Sequence, residues 1–184
     1  FTGGGTNTYL VGKEDITVVD PGPYIQSHLD KIIEAGNNNI KRIIVTHTHK
    51  DHSPGAKPLA EILNVPVIGS FAKFDMSIQD ETFKPDQILH DKDIINTSEY
   101  TIEVIHTPGH ASNHFCFLIQ EEECLLTGDH IMNGSTVVIA PPDGNMTEYL
   151  ESLKKLDNFN IKLLAPGHGD YLHDPKLVTN WIFN

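Results

Sequence analysis

A chain of 184 residues with 39% hydrophobic content has room for one sizeable core or two small layered halves, and no apolar run approaches membrane-spanning length. Its 25 acidic against 13 basic residues leave a formal charge of -12, and Arg42 is the one arginine, which argues against a broad phosphate-binding surface on this domain. Cys116 and Cys124 sit in separate apolar runs without C-x-x-C spacing, so no disulfide framework or zinc knuckle is indicated and a reducing, cytoplasmic setting is expected.

In chain order, the pattern predicts strands at Thr8 to Val11 and Ile16 to Asp20, then a helix from Ile25 to Ala35 that stops at Gly36 and the Asn37-Asn38-Asn39 turn. A strand from Arg42 to Thr46, a helix from Ala56 to Leu63 and a strand from Val65 to Ile68 follow. Ser70 to Leu89, with Pro85 and scattered charges, reads as a short helix and a loop. Strands are expected at Thr101 to His106, Phe115 to Ile119, Cys124 to Thr127 and Lys162 to Ala165, with a helix at Thr147 to Leu156 capped by Asn145 or Thr147. Both ends read as cut: the chain opens on Phe1, and Asp174-Pro175 starts a helix carrying Leu177, Val178, Trp181 and Ile182 with no stop signal. The expectation is therefore one domain spanning residues 1–184, truncated at both ends.

The densest chemistry is Thr46-His47-Thr48-His49-Lys50-Asp51-His52, directly after Ile43-Ile44-Val45. Alternate residues of an extended segment point the same way, so His47 and His49 can share one metal while Asp51 and His52, where the chain turns, face a second. Three further apolar runs end in a metal-competent residue beside a turn former: Thr107-Pro108-Gly109-His110, Thr127-Gly128-Asp129 and Pro166-Gly167-His168. Four strand ends thus converge on one edge, where ligand sites of layered α/β folds tend to lie. His28, His90, His106, His130 and His173 lack such a context and are expected at the surface or at strand ends.

The ordered set T-H-T-H-K-D-H, T-P-G-H, G-D and P-G-H-G, preceded by Val19-Asp20-Pro21-Gly22, resembles the five motifs of the metallo-β-lactamase superfamily over about Asn7 to His168. The resemblance implies an αββα sandwich, an α/β fold with two central mixed sheets flanked by helices. It implies His47, His49 and His110 on one metal, Asp51, His52 and His168 on the other, and Asp129 bridging, with Asp20 steadying the metal loop. Two zinc ions are the expected cofactors, with iron or manganese as the other candidates. The expected activity is hydrolysis of an ester, thioester, lactone or phosphodiester by a bridging hydroxide oriented by Asp51, with His114 assisting substrate binding or the leaving group.

Asp129 stands where the commonest zinc β-lactamases have cysteine, which argues against antibiotic hydrolysis. The segment from Gly128 to Met146 is similar to the β-lactamase-like protein 2 subfamily, and every ligand position also matches glyoxalase II-type thioester hydrolases. The former continues into a small winged-helix-like module and includes an endonuclease of single-stranded RNA, so a small-molecule ester or thioester and single-stranded RNA are the two substrate expectations. A mononuclear iron oxidoreductase resembling persulfide dioxygenases, using His47, His110 and Asp129, is the alternative.

Overall fold

The computed structural model describes residues 4–74 and 77–175. Two five-stranded sheets face each other. The first is built from β1 (Tyr9–Val11), β2 (Ile16–Val19), β3 (Ile40–Ile44), β4 (Val67–Gly69) and β5 (Gln87–Ile88), adjacent in that order. The second follows the order β10 (Leu163–Pro166), β9 (Cys124–Gly128), β8 (Phe115–Ile119), β7 (Thr101–His106), β6 (Ile94–Asn96). Both are mixed: β1 runs antiparallel to β2 but β2, β3, β4 and β5 are parallel, while β10 is the parallel member beside an otherwise antiparallel set.

Side-chain alternation makes the layers. On β8, Phe115, Phe117 and Ile119 point into the core between the sheets, where they meet Val19, Ile44 and Ile68, whereas Cys116 and Leu118 point outward against Leu153 and Leu156. On β3, Ile44 faces inward and Ile43 outward, toward Leu29 and Leu59. The outer faces are covered by α1 (Gln26–Gly36) and α2 (Ala56–Leu63) on one side and α3 (Met146–Leu156) on the other. Strands buried on both faces read as continuous apolar runs, and the result is the expected αββα sandwich.

Element positions follow the sequence reading to within about two residues. Asn145 caps α3, its Oδ1 accepting from the amides of Thr147 at 2.9 Å and Glu148 at 3.1 Å. The short helix expected between Ser70 and Leu89 is a correction: the described residues there contain β5 and turns but no helix. Their backbone groups are satisfied by the metal-loop segment instead, Lys50 N donating to Ile78 O at 3.0 Å and Asp80 N to Thr48 O at 2.7 Å. Strands β5 and β6, two and three residues long, had no legible apolar period. The C-terminal helix expected at Leu177 to Ile182 lies outside the described residues.

Candidate metal centre

The loop after β3 is shaped by Asp20, which follows β2 in a left-handed conformation (φ 50°). Its carboxylate accepts from the Thr46 amide (2.7 Å) and the Thr46 hydroxyl (2.6 Å), which turns the chain so that the following imidazoles leave the strand end together. Loops after β7, β9 and β10 bring His110, Asp129 and His168 to the same rim. Gly128 (φ 48°) permits that approach, since a Cβ there would stand 2.7 Å from His114 Nε2 and 2.9 Å from Thr46 Cβ.

Two groups result. His47, His49 and His110 each offer an atom within 4.8 Å of the others, and so do Asp51, His52, Asp129 and His168. Asp129 faces both: its Oδ1 is 3.3 Å from the Nε2 atoms of His52 and His168, and its Oδ2 is 3.6 Å from His110 Nε2. Asp51 Oδ2 lies 3.2 Å from His168 Nε2, with its side chain 34% exposed at the cleft floor.

Hydrogen bonding behind the rings fixes their tautomers. Thr46 gives its only hydroxyl proton to Asp20, so His47 Nδ1 must donate to Thr46 Oγ1 at 3.0 Å. His52 Nδ1 donates to Asp20 Oδ2 (2.9 Å), His110 Nδ1 to the Val138 carbonyl (2.6 Å) and His168 Nδ1 to the Gly5 carbonyl (3.0 Å). Every one of these rings therefore turns Nε2 inward, the arrangement that outer acceptors impose on metal-ligating histidines. His49 Nδ1 is 3.0 Å from His110 Nε2.

Among the described residues, His47 Nε2, His49 Nε2, His52 Nε2 and Asp129 Oδ1 are buried without a hydrogen-bond partner. Buried orphans cost about 1–3 kcal/mol each, and four converging on one place require a common partner. A nitrogen- and carboxylate-rich set of this kind suits zinc or another divalent first-row ion, so the residues fit the implied metals.

Electrostatics divide the two groups. Burial, reinforced by neighbouring imidazoles, drives His47 far below the usual histidine range and His49 down to about 3, so both are neutral and free to ligate. Burial also opposes charge on His52 and His168, but carboxylates outweigh it: Asp129 and Asp20 raise His52, and Asp129 and Asp51 raise His168 to about 10. Burial alone would raise Asp129 and Asp51, yet His52 holds Asp129, and the hydrogen bond from His168 holds Asp51, below the ordinary carboxylate value. Cations thus belong between these carboxylates, and a divalent ion binding there displaces protons.

His114 is a correction to the sequence reading. Its ring is fully buried, Nε2 accepts from the Asp129 amide at 3.1 Å, and Nδ1 donates to Thr107 Oγ1 at 2.9 Å. No nitrogen is left for substrate or leaving group, so the residue positions Asp129. His130, expected at the surface or a strand end for want of a motif partner, does sit just past the end of β9 but is fully buried between His114 and Tyr149, and burial takes its pKa down to about 3. The Val138 and Gly5 carbonyls are backbone groups and left no trace in the sequence. Thr46, adjacent to His47, was the signal available for the hydroxyl relay.

The model of the metallo-beta-lactamase superfamily matches residues 1–168. The chain belongs to that superfamily. Its curated relatives include an atrochrysone carboxyl ACP thioesterase of Cryptosporiopsis sp., 28% identical over 95% of this chain and 52% of the relative. Another is lactamase-like protein nscB of Neosartorya fischeri, 33% identical over 97% of this chain and 52% of the relative. The chain thus spans about half the length of these relatives. Among solved structures of the superfamily, a metallo-beta-lactamase family protein from Thermus thermophilus superposes with a TM-score of 0.80 at 21% identity, covering 96% of this chain and 73% of that one. Among the described residues of this superfamily member, no helix is long and apolar enough to cross a membrane.

Proposed function

We propose that the chain is a metal-dependent hydrolase that holds two divalent ions, zinc foremost, and cleaves a thioester. The carrying observation is the inward convergence of the orphaned Nε2 atoms of His47, His49 and His52 and Oδ1 of Asp129, beside the His47, His52, His110 and His168 rings, which are tied from behind. His47, His49 and His110 would hold one ion, Asp51, His52 and His168 the other, with Asp129 between them. Bound there, such ions lower the pKa of water and polarise a carbonyl oxygen.

The protein's own groups supply the rest. Asp51, ionised and open to the cleft, accepts a hydrogen bond from the attacking water and orients it toward the acyl carbon. The water oxygen bonds to that carbon as its protons pass to solvent, the carbon–sulfur bond breaks with its electron pair going to sulfur, and the products are a carboxylate and a thiolate that solvent reprotonates. Thiols ionise near pH ~8.5, so sulfur departs as thiolate without a proton donor. That requirement matches a cleft from which His114 is withdrawn, and several relatives carry thioesterase in their names. A phosphodiester is less well served, because Arg42 is bound to Asp15 at 2.5 Å and stands apart from the cleft lining.

Elemental mass spectrometry combined with thioester assays tests the reading. About two zinc ions per chain and chelator-sensitive thioester cleavage are expected, with Asp51→Ala losing activity while keeping the fold. One iron per chain, with oxygen consumed on a persulfide, would replace the proposal with the oxidoreductase alternative.

A further inference from the structure

The cleft above the candidate centre encloses about 680 Å³, within the range that takes a small-molecule ligand. Apart from the His and Asp cluster, its walls are carbon-rich: Pro23, Ile78, Met132 and Val138 line it, with the hydroxyls of Ser135 and Thr136. Ile78 is 41% and Val138 57% exposed, an unfavourable placement for large aliphatic side chains unless something apolar covers them. Among the described residues of the lining, Lys50 is the one basic side chain other than the histidines, and its ammonium is tied to the Ser77 carbonyl at 2.6 Å.

These apolar residues are registered to the reacting centre through the backbone. The Ile78 carbonyl accepts from the Lys50 amide, between His49 and Asp51, at 3.0 Å. The Val138 carbonyl holds the His110 ring at 2.6 Å. An apolar group seated on Ile78 and Val138 is therefore held at a set distance from the atoms that would act on its carbonyl.

We infer that Ile78, Met132 and Val138 form an acyl-selecting subsite, so that the substrates are thioesters of apolar aliphatic or aromatic acids. This rests on the hydrolase reading above and adds the substrate class. The acyl chain lies against the three side chains with its carbonyl over the His and Asp cluster, and the thiol portion leaves toward solvent. Each methylene covered contributes up to about fourfold in kcat/KM, and about twofold where half its surface stays wet.

The test compares S-acetyl-, S-hexanoyl- and S-benzoyl-N-acetylcysteamine on zinc-loaded protein, with bis(p-nitrophenyl) phosphate as the phosphodiester. The hexanoyl and benzoyl compounds are expected to exceed acetyl by tenfold or more in kcat/KM. In Ile78→Ser/Val138→Ser that ratio should collapse toward one. Calorimetric binding of the corresponding non-hydrolysable amides supplies a readout independent of turnover and should follow the same order. Cleavage of all three thioesters at equal rates would overturn the subsite while leaving the hydrolase reading intact. Cleavage of the phosphodiester alone would overturn both the subsite and the thioester assignment. Failure to cleave any of the four compounds, with amide binding still graded, would leave the apolar binding surface standing and overturn the assignment of thioesters as substrates together with the thioester-hydrolase reading.

Discussion

Asp20 and His52 are joined by a 2.9 Å hydrogen bond in which a buried carboxylate holds a buried imidazole by Nδ1. The same carboxylate oxygen takes the Thr46 hydroxyl, through which it also sets the His47 ring, so one side chain orients a nitrogen in each of the two groups. Asp20→Asn preserves volume and tolerates the left-handed backbone, but its amide must present a donor to one of these hydrogens. The expected result is a 10- to 100-fold loss in zinc affinity, of the size usual for removing an outer partner of a ligating histidine. Chelator competition measures it, and an unchanged circular dichroism spectrum separates it from unfolding.

His114 offers a second contrast. His114→Phe fills the same space but leaves the Asp129 amide and the Thr107 hydroxyl without their partner. A stability loss of about 1–3 kcal/mol is expected from the stranded groups. Because Asp129 is displaced, kcat should fall with KM nearly constant. A raised KM on an undestabilised protein would restore the substrate-binding role that the sequence suggested.

The four loops were legible because each ligand candidate follows an apolar strand and sits beside a turn former, as in Thr127-Gly128-Asp129 and Pro166-Gly167-His168. The layering was legible for the same reason, β8 being apolar at every position. What escaped was carried by groups without side-chain identity, such as the Val138 and Gly5 carbonyls, or by burial, which no pattern encodes. His114 carries the same ring as His47 and is as deeply buried, and what separates them is partners: Thr107 and the Asp129 amide engage both His114 nitrogens, whereas His47 Nε2 has none. Segment 70–89 misled because its backbone partners lie on the metal loop, some 30 residues earlier in sequence.

A pH effect is expected away from the cluster. Asp91 Oδ1 accepts from the His106 amide (2.7 Å) and from Lys155 Nζ (2.6 Å), tying α3 to the end of β7. Partial burial would raise its pKa, but the bond from Lys155 outweighs this and holds it below the ordinary carboxylate value. In the unfolded chain Asp91 titrates near ~3.9, so its stabilisation is complete above that pH and disappears as pH falls through the lower folded value. Urea midpoints measured from pH 5 down to pH 2.5 should decline less steeply in Asp91→Asn. Parallel slopes in the two proteins would contradict the linkage.

Gly167 separates packing from ligation. A Cβ there would lie 2.7 Å from Asp129 Oδ1 and 2.8 Å from His52 Cε1, so alanine must push the carboxylate or the ring out of line. The cost in stability is about 1–3 kcal/mol, as for other overpacked positions. The displaced atoms are Oδ1 of Asp129 and the ring of His52, so the group containing Asp51, His52, Asp129 and His168 should lose its ion before the His47, His49 and His110 group does. Gly167→Ala is therefore expected to bind about one zinc where the parent binds two, measured by elemental analysis after dialysis against a weak chelator. Equal loss from both groups would mean that Asp129 couples them so tightly that neither ion is held without the other.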